Sequence, residues 1–95
     1  MVIGTNIGSY IQNLRKERKM SLKEVADHVG IDISMLSKIE HGERQLQSHM
    51  IAPIADLFEI DYKSIQIQFL NQRIMQEFGN EPYLLESLVV YVNSK

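Results

Sequence analysis

Hydrophobic residues near the start of the chain recur at the spacing that puts them on one face of an α-helix. The helix is predicted to run from about residue 7 to residue 18. We expect the side chain of Thr5 or Asn6 to cap it, because both residue types accept hydrogen bonds from the first amides of a helix. Its buried stripe follows the i, i+4, i+7 pattern: Ile7, Ile11 and Leu14.

Two shorter helices are predicted next, joined by a tight turn at Gly30. Ser21 and Glu24 have the spacing of a capping box, in which each side chain satisfies a backbone amide of the other residue. Gly30 ends the second helix, because glycine adopts the left-handed conformation at the lowest cost. Asp32 caps the third helix and Gly42 ends it. The inward positions of this helix pair are Val25, Ala26, Val29, Leu36 and Ile39.

A polar loop is predicted over residues 43–48, and a fourth helix over about residues 49–59. Pro53 falls inside this helix, where it removes one intrahelical hydrogen bond and bends or delays the helix. The apolar residues at core spacing are Ile54, Leu57 and Phe58.

A long fifth helix and a sixth helix complete the predicted elements. Asp61 caps the fifth helix, Gly79 and Asn80 end it, and Asn80 starts the sixth helix with Pro82 in its first turn. Residues 65–69 alternate like a strand, but we expect a helix because no second strand is available to pair with them. The inward positions of the fifth helix are Tyr62, Ile65, Phe69, Ile74 and Phe78. One side of the sixth helix is dominated by Leu84, Leu85, Leu88, Val89 and Val92.

The composition agrees with one small all-α domain that carries an extension. The chain has 95 residues, of which 44% are hydrophobic, enough for a packed core. Its net charge is −2, which by itself does not indicate a nucleic-acid-binding protein. Residues 1–50 hold seven Lys/Arg and six Asp/Glu, whereas residues 51–95 hold three and six. Phosphate binding needs a local basic face rather than a basic protein, so the first half is weak support for it.

Other function classes find little support in the sequence. No apolar run approaches the ~18 residues of a membrane span, and the N-terminus lacks a signal-peptide pattern, so we expect a cytoplasmic protein. The chain has no cysteine, and the spacing of its histidines does not resemble a metal site. We therefore expect exposed histidines, no metal and no cofactor. An enzyme is not expected, because no catalytic-triad context or phosphate-binding glycine loop is present. The histidines are His28, His41 and His49.

The segment from about residue 7 to residue 65 resembles the helix-turn-helix domain shared by phage lambda-type repressors and Xre-family bacterial regulators. The resemblance rests on three stretches: IGSYIQNLRKERKMSLKEVA, GIDISMLSKIEHGER and IADLFEIDYKSI. It implies a five-helix, lambda-repressor-like DNA-binding domain over residues 5–66, followed by a C-terminal helical extension over residues 67–95. It also implies a bacterial or phage protein that binds double-stranded DNA and is associated with the nucleoid.

The resemblance implies which residues contact DNA. The recognition helix spans about residues 32–41, and its base-facing side chains can hydrogen-bond to base edges or pack on a thymine methyl group. The base-facing positions are Ile33, Ser34, Ser37, Lys38 and Arg44, with Met35 beside them. Ile33 and Met35 also fit an ordinary place beside the core. Phosphate contacts are expected from the N-termini of the second and third helices. The residues expected to contact phosphates are Lys16, Lys19, Ser21, Lys23 and Arg44.

Two positions follow the family pattern closely, and two depart from it. Arg15 and Glu40 correspond to residues that form a buried ion pair between the first and third helices in many relatives, so Arg15 is not counted as a DNA contact. Leu22 stands where relatives often have a phosphate-binding Gln. Glu59 stands where relatives often have Gly, so we expect the turn after the fourth helix to differ.

The C-terminal segment determines the expected assembly. The stretches LNQRIMQEF and EPYLLESLVVYV carry more apolar surface than a small monomer needs. We expect a twofold homodimer on a palindromic operator, with two recognition helices about 34 Å apart. The alternative is a sixth helix that folds back over its own core. The predicted interface residues are Phe69, Leu85, Leu88, Val89 and Val92.

The expected function is therefore that of a repressor-like transcription regulator of the Xre type. The length and layout are also similar to those of small regulators that accompany restriction–modification genes. An alternative hypothesis is an antitoxin or adaptor whose C-terminal helices bind a partner protein, and the acidic second half is weakly compatible with a basic partner.

Overall fold

Six α-helices make up most of the described chain, residues 6–95, in this computed structural model. No strand is present in that range, so the predicted all-α fold is confirmed, as is the helical structure of residues 65–69. Thr5, one of the two predicted caps, lies outside the described residues. The elements are α1 (Ile7–Glu17), α2 (Leu22–Val29), α3 (Ile33–Glu40), a 3-10 turn (Ser48–Met50), α4 (Ile51–Phe58), α5 (Tyr62–Phe78) and α6 (Leu84–Asn93).

The helices begin and end at the polar and glycine positions that the sequence marks. The Asp32 carboxylate accepts a hydrogen bond from the Met35 amide at 2.7 Å, which satisfies an amide that the first turn of α3 leaves unpaired. Gly30 and Gly42 have φ angles of 86° and 79°, which glycine adopts without strain. The predicted side-chain caps of four helices are confirmed: Asn6, Ser21, Asp32 and Asp61.

The hydrophobic core lies among α1 to α5. α1 packs against α3, α2 packs against α3 and α4, and α4 packs against α5. Every apolar position predicted to face inward on α1, α2 and α3 is buried, which confirms the periodicity of these three helices. The core residues are Ile7, Ile11, Leu14, Val25, Ala26, Val29, Leu36, Ile39, Leu46, Met50, Ile51, Ile54, Ala55, Phe58, Ile65 and Phe69.

The predicted start of the sixth helix is wrong. α6 begins at Leu84 rather than at Asn80. A proline disfavours helical geometry in the residue before it, so Glu81 resists joining a helix that would continue through Pro82. The chain makes a turn there instead, in which the Glu81 amide donates to the Phe78 carbonyl at 2.9 Å.

Two predicted inward positions on α5 are also wrong. Ile65 and Phe69 are buried, but Tyr62 is 45% exposed and Phe78 is 50% exposed. Tyr62 is the first residue of the helix and is not among the residues that pack against the core. Phe78 follows Phe69 by nine residues, which at about 100° per residue places it on the opposite side of α5. Ile74 is half-buried.

The connections around α4 differ from expectation in two respects. The predicted polar loop contains Leu46, which is buried in the core and holds the loop against it. Glu59 adopts a left-handed conformation, φ 54° and ψ 44°, so the turn keeps the geometry that Gly favours and the expected difference is absent. Pro53 lies in the first turn of α4, after the 3-10 turn, so it delays the α-helix rather than bending it.

Candidate nucleic-acid interface

α2 and α3 form a rigid pair around the turn at Gly30. The amides of Gly30 and Ile31 both donate to the Ala26 carbonyl, at 2.8 and 3.0 Å, which closes the end of α2. Val25 of α2 and Leu36 of α3 are both almost completely buried. The pair therefore holds one face of α3 in the core and leaves the other facing solvent.

The outward face of α3 carries the residues expected to meet bases. At about 100° per residue, these positions lie within one stripe, roughly opposite the buried Leu36 and Ile39. Met35 lies outside the stripe and packs against the core, as in the alternative interpretation of this residue. Ile33 is 45% exposed and does not follow that alternative. The outward stripe consists of Ile33, Ser34, Lys38 and the half-buried Ser37.

The loop after α3 brings a second cation next to this stripe. The amides of Glu43 and Arg44 donate to the Lys38 carbonyl at 2.8 and 3.3 Å. Leu46 then anchors the loop in the core. Arg44 therefore starts beside the last turn of α3, close to the backbone of Lys38.

The five basic residues expected near DNA are not equivalent. The ammonium of Lys23 lies 2.8 Å from Asp27, and the hydrogen bond to this carboxylate, followed by its charge, raises the pKa of Lys23. Over residues 6–95, no acidic side chain lies within ion-pair distance of the other four. The uncompensated charges are those of Lys16, Lys19, Lys38 and Arg44.

The N-termini of α2 and α3 are less open to phosphate than expected. The Ser21 hydroxyl accepts from the Glu24 amide at 3.0 Å, and the Glu24 carboxylate accepts from the Ser21 amide at 2.8 Å. α3 is capped by the Asp32 carboxylate in the same way. Each terminus already holds a negative charge, which opposes a second anion. Leu22 is half-buried against the core, so the backbone clamp that relatives form with Gln has no counterpart at this position.

An ion pair beneath the interface connects α1 to α3. Arg15 Nε and one terminal nitrogen donate to the two carboxylate oxygens of Glu40 at 2.8 and 3.0 Å, and a third nitrogen donates to the Met20 carbonyl at 3.1 Å. The Glu40 side chain is 1% exposed. The hydrogen bonds that Arg15 donates to the Glu40 carboxylate raise the pKa of Arg15. The pair expected from the sequence is therefore present, and Arg15 is unavailable to DNA.

Two polar contacts near the interface have no signal in the sequence. Gln72 of α5 accepts a hydrogen bond from the Ile7 amide at 2.7 Å, and Gln76 accepts one from Gln45 at 3.3 Å. The partners are 65 and 31 residues apart. Neither local periodicity nor a capping pattern pairs residues at such separations, so sequence reasoning missed both contacts.

The C-terminal helices present a large apolar surface away from the core. α6 contains no buried residue, and its half-buried Leu84 and Leu88 line a groove with Ile74 and Phe78 of α5, so the alternative in which it covers the core is wrong. An open groove of about 500 Å³ lies between the end of α5, the turn that follows it and the side of α6 that carries Leu84, Leu88 and Tyr91. Phe69 is 5% exposed and belongs to the core, so its predicted place in a dimer interface is wrong. The exposed apolar residues of this surface are Ile67, Leu70, Met75, Phe78, Tyr83, Leu85, Val89, Val90, Tyr91 and Val92.

The remaining candidate chemistry is sparse. His28, His41 and His49 are exposed, as predicted. Within residues 6–95, no group of His, Cys, Asp and Glu side chains is arranged to hold a metal ion. None of the helices described is both long and apolar enough to cross a bilayer.

A pair of short helices around a glycine turn, with the second helix half-exposed, defines a helix-turn-helix protein. The chain belongs to the helix-turn-helix domain family, whose model matches residues 8–89. The match extends past residue 65, where the resemblance to the lambda-type and Xre-family domain ends. No curated protein matches the chain by sequence.

Solved structures show the same fold. One crystal structure of the clp gene regulator ClgR from Corynebacterium glutamicum is 18% identical, with a TM-score of 0.57 over 70% of this chain and 87% of that chain. A second ClgR structure is 16% identical, with a TM-score of 0.59 over 95% of this chain and 93% of that chain. The fold similarity therefore covers nearly the whole chain.

Proposed function

We propose that this protein is a sequence-specific DNA-binding transcription regulator that inserts α3 into the major groove. The observation that carries the proposal is the division of α3 into a buried face and an outward stripe of small polar and apolar side chains beside uncompensated cations. The major groove, about 12 Å wide, admits an α-helix. The membership of the helix-turn-helix domain family and the fold shared with a gene regulator support the same role.

The outward stripe has suitable chemistry for reading base edges. Lys38 can donate to the O6 and N7 atoms of guanine, and Ser34 and Ser37 can donate or accept. Ile33 can pack against a thymine methyl group. The stripe has a single long polar side chain, so we expect Lys38 to contribute most of the discrimination by hydrogen bonding.

Phosphate binding is assigned to cations around the stripe. Lys16 and Lys19 lie at the end of α1 and in the turn after it, and Arg44 lies in the loop after α3. Lys23 and Ser21 are weaker candidates. The Asp27 carboxylate compensates the charge of Lys23, and the amide and hydroxyl of Ser21 are already hydrogen-bonded to Glu24. Such contacts would supply most of the affinity that is independent of sequence.

One part of the apolar surface of α5 and α6 is assigned to a second copy of the chain. A single recognition helix reads few base pairs, and a twofold dimer presents two helices about one DNA turn apart. The interface would comprise Ile67, Leu70 and Phe78 on the outer face of α5, with Leu85, Leu88, Val89 and Val92 on α6. Residues 5–66 would then form the reading domain and residues 67–95 the dimerisation segment.

Selection of bound sequences from random double-stranded DNA tests the proposal. The expected result is a twofold-symmetric motif with half-sites about 34 Å apart, together with a dimer in sedimentation. Recovery of sequences without a shared motif would contradict sequence-specific regulation.

The exposed α6 surface also supports a second candidate, an antitoxin or adaptor that binds a partner protein. Large exposed apolar patches commonly mark such interfaces. The two candidates differ in the state of the purified chain. A monomer at concentrations well above micromolar would exclude the self-association assigned above and favour a different protein on α6.

A further inference from the structure

Gln72 caps the N-terminus of α1 from α5, a distant part of the sequence. Its Oε1 atom accepts a half-buried hydrogen bond from the Ile7 amide at 2.7 Å. The next amide, that of Gly8, donates to the local cap Asn6, also at 2.7 Å. The Ile7 amide is one of those that a helix start leaves without an intrahelical partner. Asn6 therefore satisfies only the Gly8 amide, and Gln72 satisfies the Ile7 amide from a distant part of the chain.

A second contact joins α5 to the loop that follows α3. One turn beyond Gln72, the Gln76 side chain accepts a hydrogen bond from Gln45 at 3.3 Å. Gln45 directly follows Arg44, a proposed DNA contact. A small cavity of about 30 Å³ lies between α5, the start of α1 and this loop, and Gln45, Gln72 and Gln76 are among the residues that line it.

The capped end of α1 also touches the end of α3. A Cβ atom placed on Gly8 would overlap the carbonyl oxygen of Ile39, so the two backbones are in direct contact. A movement of the α1 N-terminus is therefore transmitted to the last turn of α3. Through Gln72 this end of α3 is tied to α5.

We infer that Gln72 is a positioning residue that sets the orientation of α3 relative to α5, and so the half-site spacing that the dimer accepts. The inference rests on the proposed dimeric DNA-binding function. α5 carries Gln72 and Gln76 on the side of its core residues, whereas the proposed dimer contacts lie on its outer face. Successive bases rise by about 3.4 Å, so a change in the angle between α3 and α5 alters the spacing that fits best.

The test measures binding to palindromes whose half-site separation is varied one base pair at a time. Wild type is expected to favour one separation. Gln72→Met keeps the side-chain length but removes the acceptor. We expect the ratio of affinities for the favoured and the other separations to fall about fivefold, which corresponds to the loss of one hydrogen bond. Affinity for a single half-site and dimerisation should not change. Amide exchange at Ile7 should accelerate in the same variant.

Two variants provide the matched comparison. Gln66→Met removes a hydrogen bond that stays within α5, to Tyr62 at 3.0 Å, and should leave the spacing profile as in wild type. Gln72→Glu retains an acceptor at a helix N-terminus, where a negative charge is favourable, and should restore the profile. If Gln72→Met does not fold, the exposed Gln76→Met variant replaces it, with the same direction of change expected.

The outcomes separate this inference from the function on which it rests. A broadened profile in Gln72→Met, restored in Gln72→Glu, supports the positioning role. An unchanged profile with intact binding to paired half-sites overturns the positioning role alone, as does unchanged exchange at Ile7. A wild-type protein that binds single and paired half-sites equally well overturns the dimeric operator and the positioning role together.

Discussion

The guanidinium of Arg15 donates two hydrogen bonds to the carboxylate of Glu40, at 2.8 and 3.0 Å, across the interface of α1 and α3. Glu40 is in the last turn of the proposed reading helix, and its side chain is 1% exposed. The ion pair therefore connects the helix that would enter the groove to the helix that supports it.

Removing one partner of this pair should destabilise the fold. Glu40→Gln leaves the Arg15 charge without its carboxylate in a largely buried place, so we expect a loss of about 3–5 kcal/mol in the free energy of unfolding. Urea denaturation measures it. The double variant Arg15→Met/Glu40→Leu should recover much of the loss, because it buries no charge. Asp27→Asn, which breaks an exposed pair, serves as the control and should have no measurable effect. A Glu40→Gln protein as stable as wild type would contradict this account.

Glu59→Gly should stabilise the protein. Glu59 has a φ angle of 54°, and the left-handed conformation costs a residue with a Cβ atom about 1–2 kcal/mol. Glycine avoids this cost but loses about 0.5–1 kcal/mol in chain entropy. The free energy of unfolding should therefore rise by about 0.5–1 kcal/mol, which thermal unfolding measures. Glu59→Ala retains a Cβ atom and should give no gain. If both variants gain the same stability, the cause is the loss of the Glu59 charge rather than the relief of the left-handed backbone conformation.

Lys38→Ala should relax sequence preference. We expect a loss of about 1–3 kcal/mol in discrimination at one or two base pairs of each half-site, measured by competition between operator variants. Ser34→Ala should act at a neighbouring position. Lys63→Ala, an exposed lysine at the start of α5, is the control and should leave the preference intact. If Lys38→Ala discriminates as well as wild type does, the assigned register of α3 is wrong.

Arg44→Ala and Lys19→Ala should weaken binding to all sequences. Each removes one uncompensated cation, so the slope of log K against log salt should fall by about one. Lys23→Ala should reduce the slope less, because Asp27 already holds the Lys23 ammonium at 2.8 Å. Titrations of DNA with each variant at several salt concentrations measure this slope. An equal reduction for Lys23 would show that DNA displaces Asp27.

Leu85→Lys should convert the proposed dimer to a monomer without unfolding it. Leu85 is 74% exposed and lies outside the core, so a charge there opposes only association. Sedimentation velocity reports the state, and binding to a palindrome should weaken in parallel. Val90→Lys, on a different side of α6 and 65% exposed, is the matched control and should remain dimeric. The assignment of this surface to a second copy fails if both variants dissociate alike or neither does.

Most of the fold could be predicted from short-range patterns. The starts of α1, α2, α3 and α5 follow from polar side chains within three residues of the amides that they satisfy. The end of α2 follows from Gly30 in the same way. The start of α6 was missed because the effect of Pro82 on Glu81 outweighs the capping pattern at Asn80.

Some features of the candidate site likewise follow from local sequence patterns, whereas others depend on contacts between distant residues. The sequence by itself determined the helix pair, the outward stripe of α3 and the Arg15–Glu40 pair implied by the family resemblance, because these depend on helical periodicity or on a shared motif. Only the tertiary structure decided that α6 leaves the core uncovered and that Gln72 and Gln76 of α5 reach α1 and the loop after α3. These outcomes depend on the direction in which a helix leaves the core and on partners up to 65 residues away, which no local pattern of polar and apolar residues encodes.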